Sequence, residues 1–171
     1  MRRIAILGST GSIGRQALDV IAAHPDKFSV CGLAAGGNVE LLAEQCMRFK
    51  PTVVSCKSRE ISLDLDPRLD WNGTTLRLEW GEKGLRSVAV DSGAEIVLAA
   101  TDGLVACRAV FAAAERGIDI ALANKEIAVA AGEPLFAAAR VSRSRILPVD
   151  SEHSAVFQCL LGERMSDVRT V

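Results

Sequence analysis

The chain has 171 residues, 49% of them hydrophobic and 24% charged, which is ordinary globular usage and enough for one domain with a sizeable core. Twenty Lys and Arg against 21 Asp and Glu leave a formal net charge of -1, so no field of one sign directs it to nucleic acid or a membrane surface. Five cysteines, at 31, 46, 56, 107 and 159, include no C-x-x-C pair, which argues against a disulfide framework or a zinc site and for mostly buried thiols in a reducing cytoplasm.

Strand-like and helix-like patterns alternate from the start. Residues 3–7 predict a buried strand, and the apolar run Ile4–Leu7 behind Arg2-Arg3 is too short for a secretory signal or a membrane span. A helix is expected over 12–23 with Ile13, Ala17, Val20 and Ile21 on one face. His24-Pro25-Asp26 stops it, because proline disfavours helical geometry in the residue before it. Phe28 to Ala35 reads as a second strand closed by Gly36-Gly37, and Val39, Leu42, Cys46 and Phe49 stripe a second helix. Val53-Val54 marks a third strand. Residues 57–94 are the least legible, with Pro67, Asn72-Gly73, Gly81, Gly84 and both tryptophans among mixed charges; they predict a short helix or irregular segment, then a helix near 81–91. A strand over Glu95–Ala99, a helix over 103–115, a strand from Ile118 to Ala123, a helical stretch over 132–141, a strand from Arg145 to Val149 and a helix from about 151 follow. No internal repeat or low-complexity linker interrupts the pattern. The fold class expected is α/β, Rossmann-like and doubly wound, a mainly parallel sheet with helices on both faces.

Behind the first strand stands GSTGSIG, residues 8–14, with glycines at 8, 11 and 14. In a dinucleotide-binding unit the first glycine permits the turn, the second lets backbone approach the pyrophosphate, and the third allows close helix–sheet packing. The helix N-terminus then offers free N–H groups and a positive dipole end. Ser9, Thr10 and Ser12 add hydroxyls, and Thr10 or Ser12 could cap the helix. A tight glycine-rich turn without a ligand is the alternative. The second strand ends in Ala34-Ala35-Gly36-Gly37-Asn38, with no carboxylate before Glu40, so nothing there repels a ribose 2′-phosphate and NADP suits the site better than NAD. No Arg or Lys follows that strand closely enough in sequence to clasp such a phosphate.

Sites in open parallel sheets lie beyond the carboxyl ends of strands, and two polar clusters fall there. Asn124-Lys125-Glu126 is either a site or a solvated turn. In Asp150-Ser151-Glu152-His153, Asp150 and Glu152 are hard oxygen ligands suited to magnesium or manganese, although two carboxylates are fewer than a closed site needs. Equally, Asp150 could cap a helix with Glu152 favourable in its first turn. His153 reads as a hydrogen-bonded structural histidine, and Phe157 and Cys159 as packing residues of the last helix.

Taken together, ILGSTGSIG at 6–14, AAGGN at 34–38, LANKE at 122–126 and LPVDSEHSA at 147–155 resemble, in order and separation, the N-terminal part of the 1-deoxy-D-xylulose 5-phosphate reductoisomerases. The resemblance covers essentially the whole chain and is weakest over 57–94. It implies conversion of 1-deoxy-D-xylulose 5-phosphate into 2-C-methyl-D-erythritol 4-phosphate in non-mevalonate isoprenoid synthesis, with NADPH and Mg²⁺, Mn²⁺ or Co²⁺. By motif it implies that Thr10, Gly11, Ser12 and Ile13 hold the pyrophosphate and that Gly36, Gly37 and Asn38 lie near the adenosine ribose phosphate. Asn124 and Glu126 would lie near the nicotinamide end, Lys125 and Ser151 would touch substrate, and Asp150 and Glu152 would bind the metal, with Glu152 also close to substrate oxygens. A small sugar phosphate as substrate, no nucleic-acid or membrane partner, a cytoplasmic location and a homodimer of full-length members go with it.

Residues 1–149 would then be an NADP-binding domain and 150–171 the beginning of a metal-binding catalytic domain. The family's third metal carboxylate, phosphate-binding groups, lid and dimer contacts have no matching motif before Val171. The chain departs from the family pattern at Gly37, where many relatives carry a basic residue, at Asp102 in Ala100-Thr101-Asp102-Gly103-Leu104, and at Ile127, where Ser or Thr is common. Two other readings compete: a non-catalytic NADPH-binding remnant, and a semialdehyde dehydrogenase, whose glycine loop is similar. The second needs an activated cysteine, and neither Cys107 nor Cys159 stands in an activating context.

Overall fold

A computed structural model describes residues 1–69 and 76–170. Trp71 and the Asn72-Gly73 turn signal lie outside the described residues. The strands are β1 (Arg2–Leu7), β2 (Phe28–Ala34), β3 (Val53–Cys56), β4 (Arg77–Trp80), β5 (Ile96–Ala99), β6 (Asp119–Leu122) and β7 (Ile146–Pro148). Between and after them run the helices α1 (Ser12–Ala23), α2 (Val39–Phe49), α3 (Arg59–Leu65), α4 (Gly81–Val90), α5 (Cys107–Glu115), α6 (Lys125–Ser142) and α7 (Ser151–Leu160). The sheet is seven-stranded in the order β4-β3-β2-β1-β5-β6-β7, and every neighbouring pair is parallel. The expected doubly wound α/β fold is therefore present.

Side chains alternate across the pleat, and the two faces hold separate cores. Ala5, Leu7, Val53, Val97, Ala99 and Ile120 pack under α4, α5 and α6 through Val88, Ala89, Val110, Ala113 and Leu135. Ile6, Val30, Leu33, Val54 and Leu98 pack under α1, α2 and α3 through Leu18, Ile21, Leu42, Cys46 and Leu65. The centre of the sheet is thus covered on both faces, as parallel sheets require.

Several expectations need correction. Ile13 and Val20 do not face the core: they are 39% and 55% exposed, and α1 buries Gly14, Leu18 and Ile21. The strand β4 was not expected, and the helix placed over 103–115 begins only at Cys107. The stretch expected to be helical over 132–141 is part of the longer α6, which breaks at Ala131 (φ -144°, ψ 19°) three residues before Pro134. Proline lacks an N–H and its ring conflicts with the carbonyl four residues back, so the break relieves a clash within one continuous element. Phe157 and Cys159 do not pack a core either, since α7 has no buried residue.

At the amino end of the sheet, away from the strand termini where ligands bind, Asp119 holds two arginines. Its Oδ2 accepts from Arg145 Nη2 at 2.5 Å, Arg145 Nε at 3.1 Å and Arg2 Nη2 at 3.1 Å, and its Oδ1 from the Arg145 main chain at 3.0 Å. The Arg145 hydrogen bonds, with Arg2 adding to them, hold this carboxyl below the usual aspartate range. The unfolded chain therefore binds the proton more readily, so this contribution to stability is full above the unfolded value near ~3.9 and is lost as pH falls through the lower folded-state value. Asp119→Asn should cost about 1–3 kcal/mol at neutral pH. In urea denaturation at neutral and strongly acid pH, the gap between variant and parent should shrink in acid; a gap independent of pH would refute the assignment.

Candidate functional site

The strand order reverses at β1, which lies between β2 and β5, so the crevice beyond the carboxyl ends of these strands is the expected ligand site. The glycine loop begins there. The main-chain N–H groups of Gly8 and Ser9 both donate to the Ala34 carbonyl, at 2.8 and 2.9 Å, strapping the loop to the end of β2. Gly8 has φ +95°, and a Cβ there would run into the Ala100 carbonyl beyond β5. A Cβ on Gly14 would overlap the Gly8 carbonyl oxygen and stand 2.7 Å from Ser9 Cα, so only glycine lets α1 start against the loop. Gly11 differs. Its φ of -74° suits any residue, and the nearest atom to an added Cβ is the Gly8 oxygen at 3.3 Å. The fold itself asks little of Gly11.

No side chain caps α1; Gly11 is its N-cap residue. Thr10 and Ser12 therefore do not take the capping role open to them in the sequence, and Ser12 Oγ accepts instead from Gln16 Nε2 at 3.2 Å. The first-turn N–H groups of such a helix have no intrahelical acceptor and suit an anion.

Gly8, Thr10 and Gly11 line a cleft of about 760 Å³, within the range of cofactor pockets. Ala35, Gly36 and Lys57 line it beside β2 and β3, and Thr101, Asp102, Leu104 and Val105 line it after β5. Thr101 Oγ1 is buried and has no hydrogen-bond partner among the described residues. Of the other residues expected here, Ser12 borders a separate hollow of about 340 Å³ between α1 and α2, and Ile13 is exposed. Gly37 and Asn38 are exposed beyond the cleft lining, with Asn38 Oδ1 accepting from Leu41 N at 3.1 Å as the N-cap of α2.

The second group forms where β6 and β7 run side by side, Leu122 opposite Pro148. Asn124 is 3% exposed, and its amide is occupied within the protein. Its Nδ2 donates to the carbonyls of Thr101 at 2.5 Å and Gly103 at 2.6 Å, and its Oδ1 accepts from Ile127 N at 2.9 Å as the N-cap of α6. Asn124-Lys125-Glu126 is thus a helix start and not a solvated turn, and Ile127 is buried beneath it. Lys125 and Glu126 are exposed. The Asn124 side chain acts on the cleft indirectly, by fixing the loop that carries Thr101 and Asp102.

Asp150 caps α7: its Oδ1 accepts from His153 N at 3.0 Å and lies 2.7 Å from His153 Nδ1. Glu152 Oε2 accepts from Ser151 Oγ at 2.9 Å. Hydrogen bonding lowers both carboxyl pKa values: for Asp150 chiefly from the His153 main chain, for Glu152 from its own main-chain N–H and then Ser151, with the Lys125 charge contributing. Both carboxylates are therefore ionised at neutral pH. No group of three or more His, Cys, Asp or Glu able to hold a metal occurs among those residues, so this pair is part of a shell at most.

A family model described as 1-deoxy-D-xylulose 5-phosphate reductoisomerase matches residues 4–132. The chain belongs to this family. A relative of that name from Moorella thermoacetica is 48% identical over 168 residues, which are 98% of this chain and 43% of the relative. Among solved structures, DOX-P reductoisomerase in complex with magnesium superposes with a TM-score of 0.88 at 34% identity, covering 93% of this chain and 40% of that one. The Zymomonas mobilis enzyme in complex with NADPH gives 0.86 at 37% identity, covering 92% and 41%. The chain spans less than half the length of the reductoisomerases it matches.

Sequence reasoning did not place Thr101 or Lys57 at the cleft, which both of them line. Thr101 follows β5 at the switch point, a position that the strand order alone would have flagged. No sequence signal links Lys57 to the Gly36 loop, because only the pairing of β2 with β3 brings them together.

Proposed function

We propose that the chain is the NADPH-binding part of an enzyme converting 1-deoxy-D-xylulose 5-phosphate into 2-C-methyl-D-erythritol 4-phosphate. The observation that carries this is the start of α1, with no side-chain cap, at a switch-point cleft lined by Gly8, Thr10, Gly11 and Gly36 in a chain of this family. The main-chain N–H groups over Thr10, Gly11, Ser12 and Ile13 would receive the pyrophosphate, and Gly36, Gly37 and Asn38 would border the adenosine ribose. Asn124 holds the loop of Thr101 and Asp102 beside the nicotinamide end, with Glu126 near it. Lys125 and Ser151 are assigned to substrate, and Asp150 and Glu152 to a divalent cation completed by other ligands. When bound, NADPH supplies hydride and the cation polarises a carbonyl.

Residues 1–149, which hold all seven strands, are taken as the cofactor domain, and 150–171 as the start of the metal-binding part. Homodimerisation of full-length members is included in the proposal on the family resemblance alone. So is a cytoplasmic location; among the described residues no helix is long and apolar enough to cross a membrane. A semialdehyde dehydrogenase fits less well. The cysteine lining the cleft is Cys56, whose thiol is pushed up by burial and so is not activated.

The test is titration of the protein with NADPH, followed by sugar-phosphate-dependent NADPH oxidation with Mg²⁺ or Mn²⁺. Saturable binding with turnover supports the whole proposal. Binding without turnover leaves a cofactor-binding protein, and no binding refutes the proposal at its base.

A further inference from the structure

The loop after β2 must meet a 2′-phosphate if the cofactor is NADPH, yet Ala35-Gly36-Gly37-Asn38 carries no cation. A selective site needs one there, since a phosphate brought out of water demands charged hydrogen-bond donors. Charged residues lining the cleft are Lys57, Glu82, Asp102 and Arg108. Arg108 is already paired, its Nη1 lying 2.9 Å from Glu82 Oε1. Lys57 has no ion pair among the described residues.

The position of Lys57 is fixed by the sheet. It directly follows β3, the neighbour of β2, and its main-chain N–H donates to the Gly36 carbonyl at 3.1 Å. Beside it there is room: a Cβ on Gly36 would meet nothing within 4 Å, and one on Gly37 only Ile61 Cδ1 at 3.7 Å. Ser58, next in sequence, accepts from Ile61 N at 3.5 Å as the N-cap of α3 and hydrogen-bonds Glu60. Its hydroxyl is therefore engaged and leaves the lysine as the free donor. In dinucleotide-binding folds, the residue at the end of the second strand chooses between a ribose 2′-hydroxyl and a 2′-phosphate. Here that strand has given up its side chains, and the adjoining strand provides the charge.

We propose that Lys57 is the residue through which this chain recognises the 2′-phosphate of NADPH and rejects NADH. The proposal rests on the NADPH-binding reading above. Lys57 is exposed, as suits a phosphate contact made on binding.

The experiment is fluorescence titration of the protein and its Lys57→Met, Lys57→Arg and Lys57→Glu variants with NADPH and NADH, with circular dichroism as the check on folding. Lys57→Met should weaken NADPH by about 10- to 100-fold, the range for a charge-assisted hydrogen bond, and leave NADH unchanged. Lys57→Arg should retain the preference, and Lys57→Glu should abolish it, because a carboxylate repels the phosphate. Arg59→Met, two residues on and outside the cleft lining, should change neither affinity. Equal weakening of both cofactors, or NADPH preference persisting in Lys57→Glu, overturns the role of Lys57 alone. If the parent protein binds neither cofactor, the NADPH reading falls and takes this inference with it.

Discussion

Gly8→Ala should destabilise the folded chain by about 2–5 kcal/mol. Placing an L residue in left-handed geometry costs about 1–2 kcal/mol, and forcing an atom into packed backbone costs about 1–3 kcal/mol more. The atom struck is the Ala100 carbonyl oxygen, part of a backbone that cannot rotate out of the way as a side chain would. Relief requires β1 and β5 to part at Leu7 and Ala99, the pair nearest the loop. Urea denaturation would show the loss as a lower midpoint with a similar slope. An unchanged midpoint would mean that the loop is not seated against β5 as described.

Gly11→Ile should do the reverse: cost the fold less than about 1 kcal/mol and weaken NADPH by at least about 100-fold, the loss of about 2.7 kcal/mol or more of binding energy. The backbone at Gly11 already has angles an isoleucine accepts, and its would-be Cβ meets one oxygen at 3.3 Å. What the side chain fills is the cleft, where a pyrophosphate has to approach main-chain N–H groups closely. Far-ultraviolet circular dichroism and the denaturation midpoint should match the parent while NADPH fluorescence titration fails. An unaltered NADPH affinity would remove the pyrophosphate from this loop.

The contrast between the two glycines shows what could be read from the sequence. Spacing announced a strand–glycine–helix unit with the first glycine for the turn and the third for close packing, and the coordinates place Gly8 and Gly14 accordingly. The central strands were legible because a strand covered on both faces must be apolar throughout, as Ile4–Leu7 and Ile96–Ala99 are. The β4 segment Arg77-Leu78-Glu79-Trp80 was not, because an edge strand pairs on one side only and keeps charged side chains in water. The buried stripe of α1 was misplaced because its closest approach is made by Gly14, which carries no hydrophobic signal. Asn124 illustrates a different loss. The sequence marks it as polar at a strand end, and only the coordinates show its amide held by Thr101, Gly103 and Ile127.

The central place of β1 also sets the order in which the protein can be made. Its first partner, β2, follows at once, whereas β5 begins only at Ile96. At about 5–20 residues per second of synthesis, β1 waits roughly 5–20 s for its second neighbour. During that interval one side of β1 is bare, and long-range parallel pairing of this kind is slow to complete even in a finished chain. The wall of the cleft formed by Ala100 and Thr101 arrives with β5, so the cleft does not exist in any nascent chain shorter than this. A molecule stalled with β5 undocked would be blind to the dinucleotide and would offer a naked strand to its neighbours. On the proposed function, cofactor capture would therefore report on whether β5 has docked beside β1.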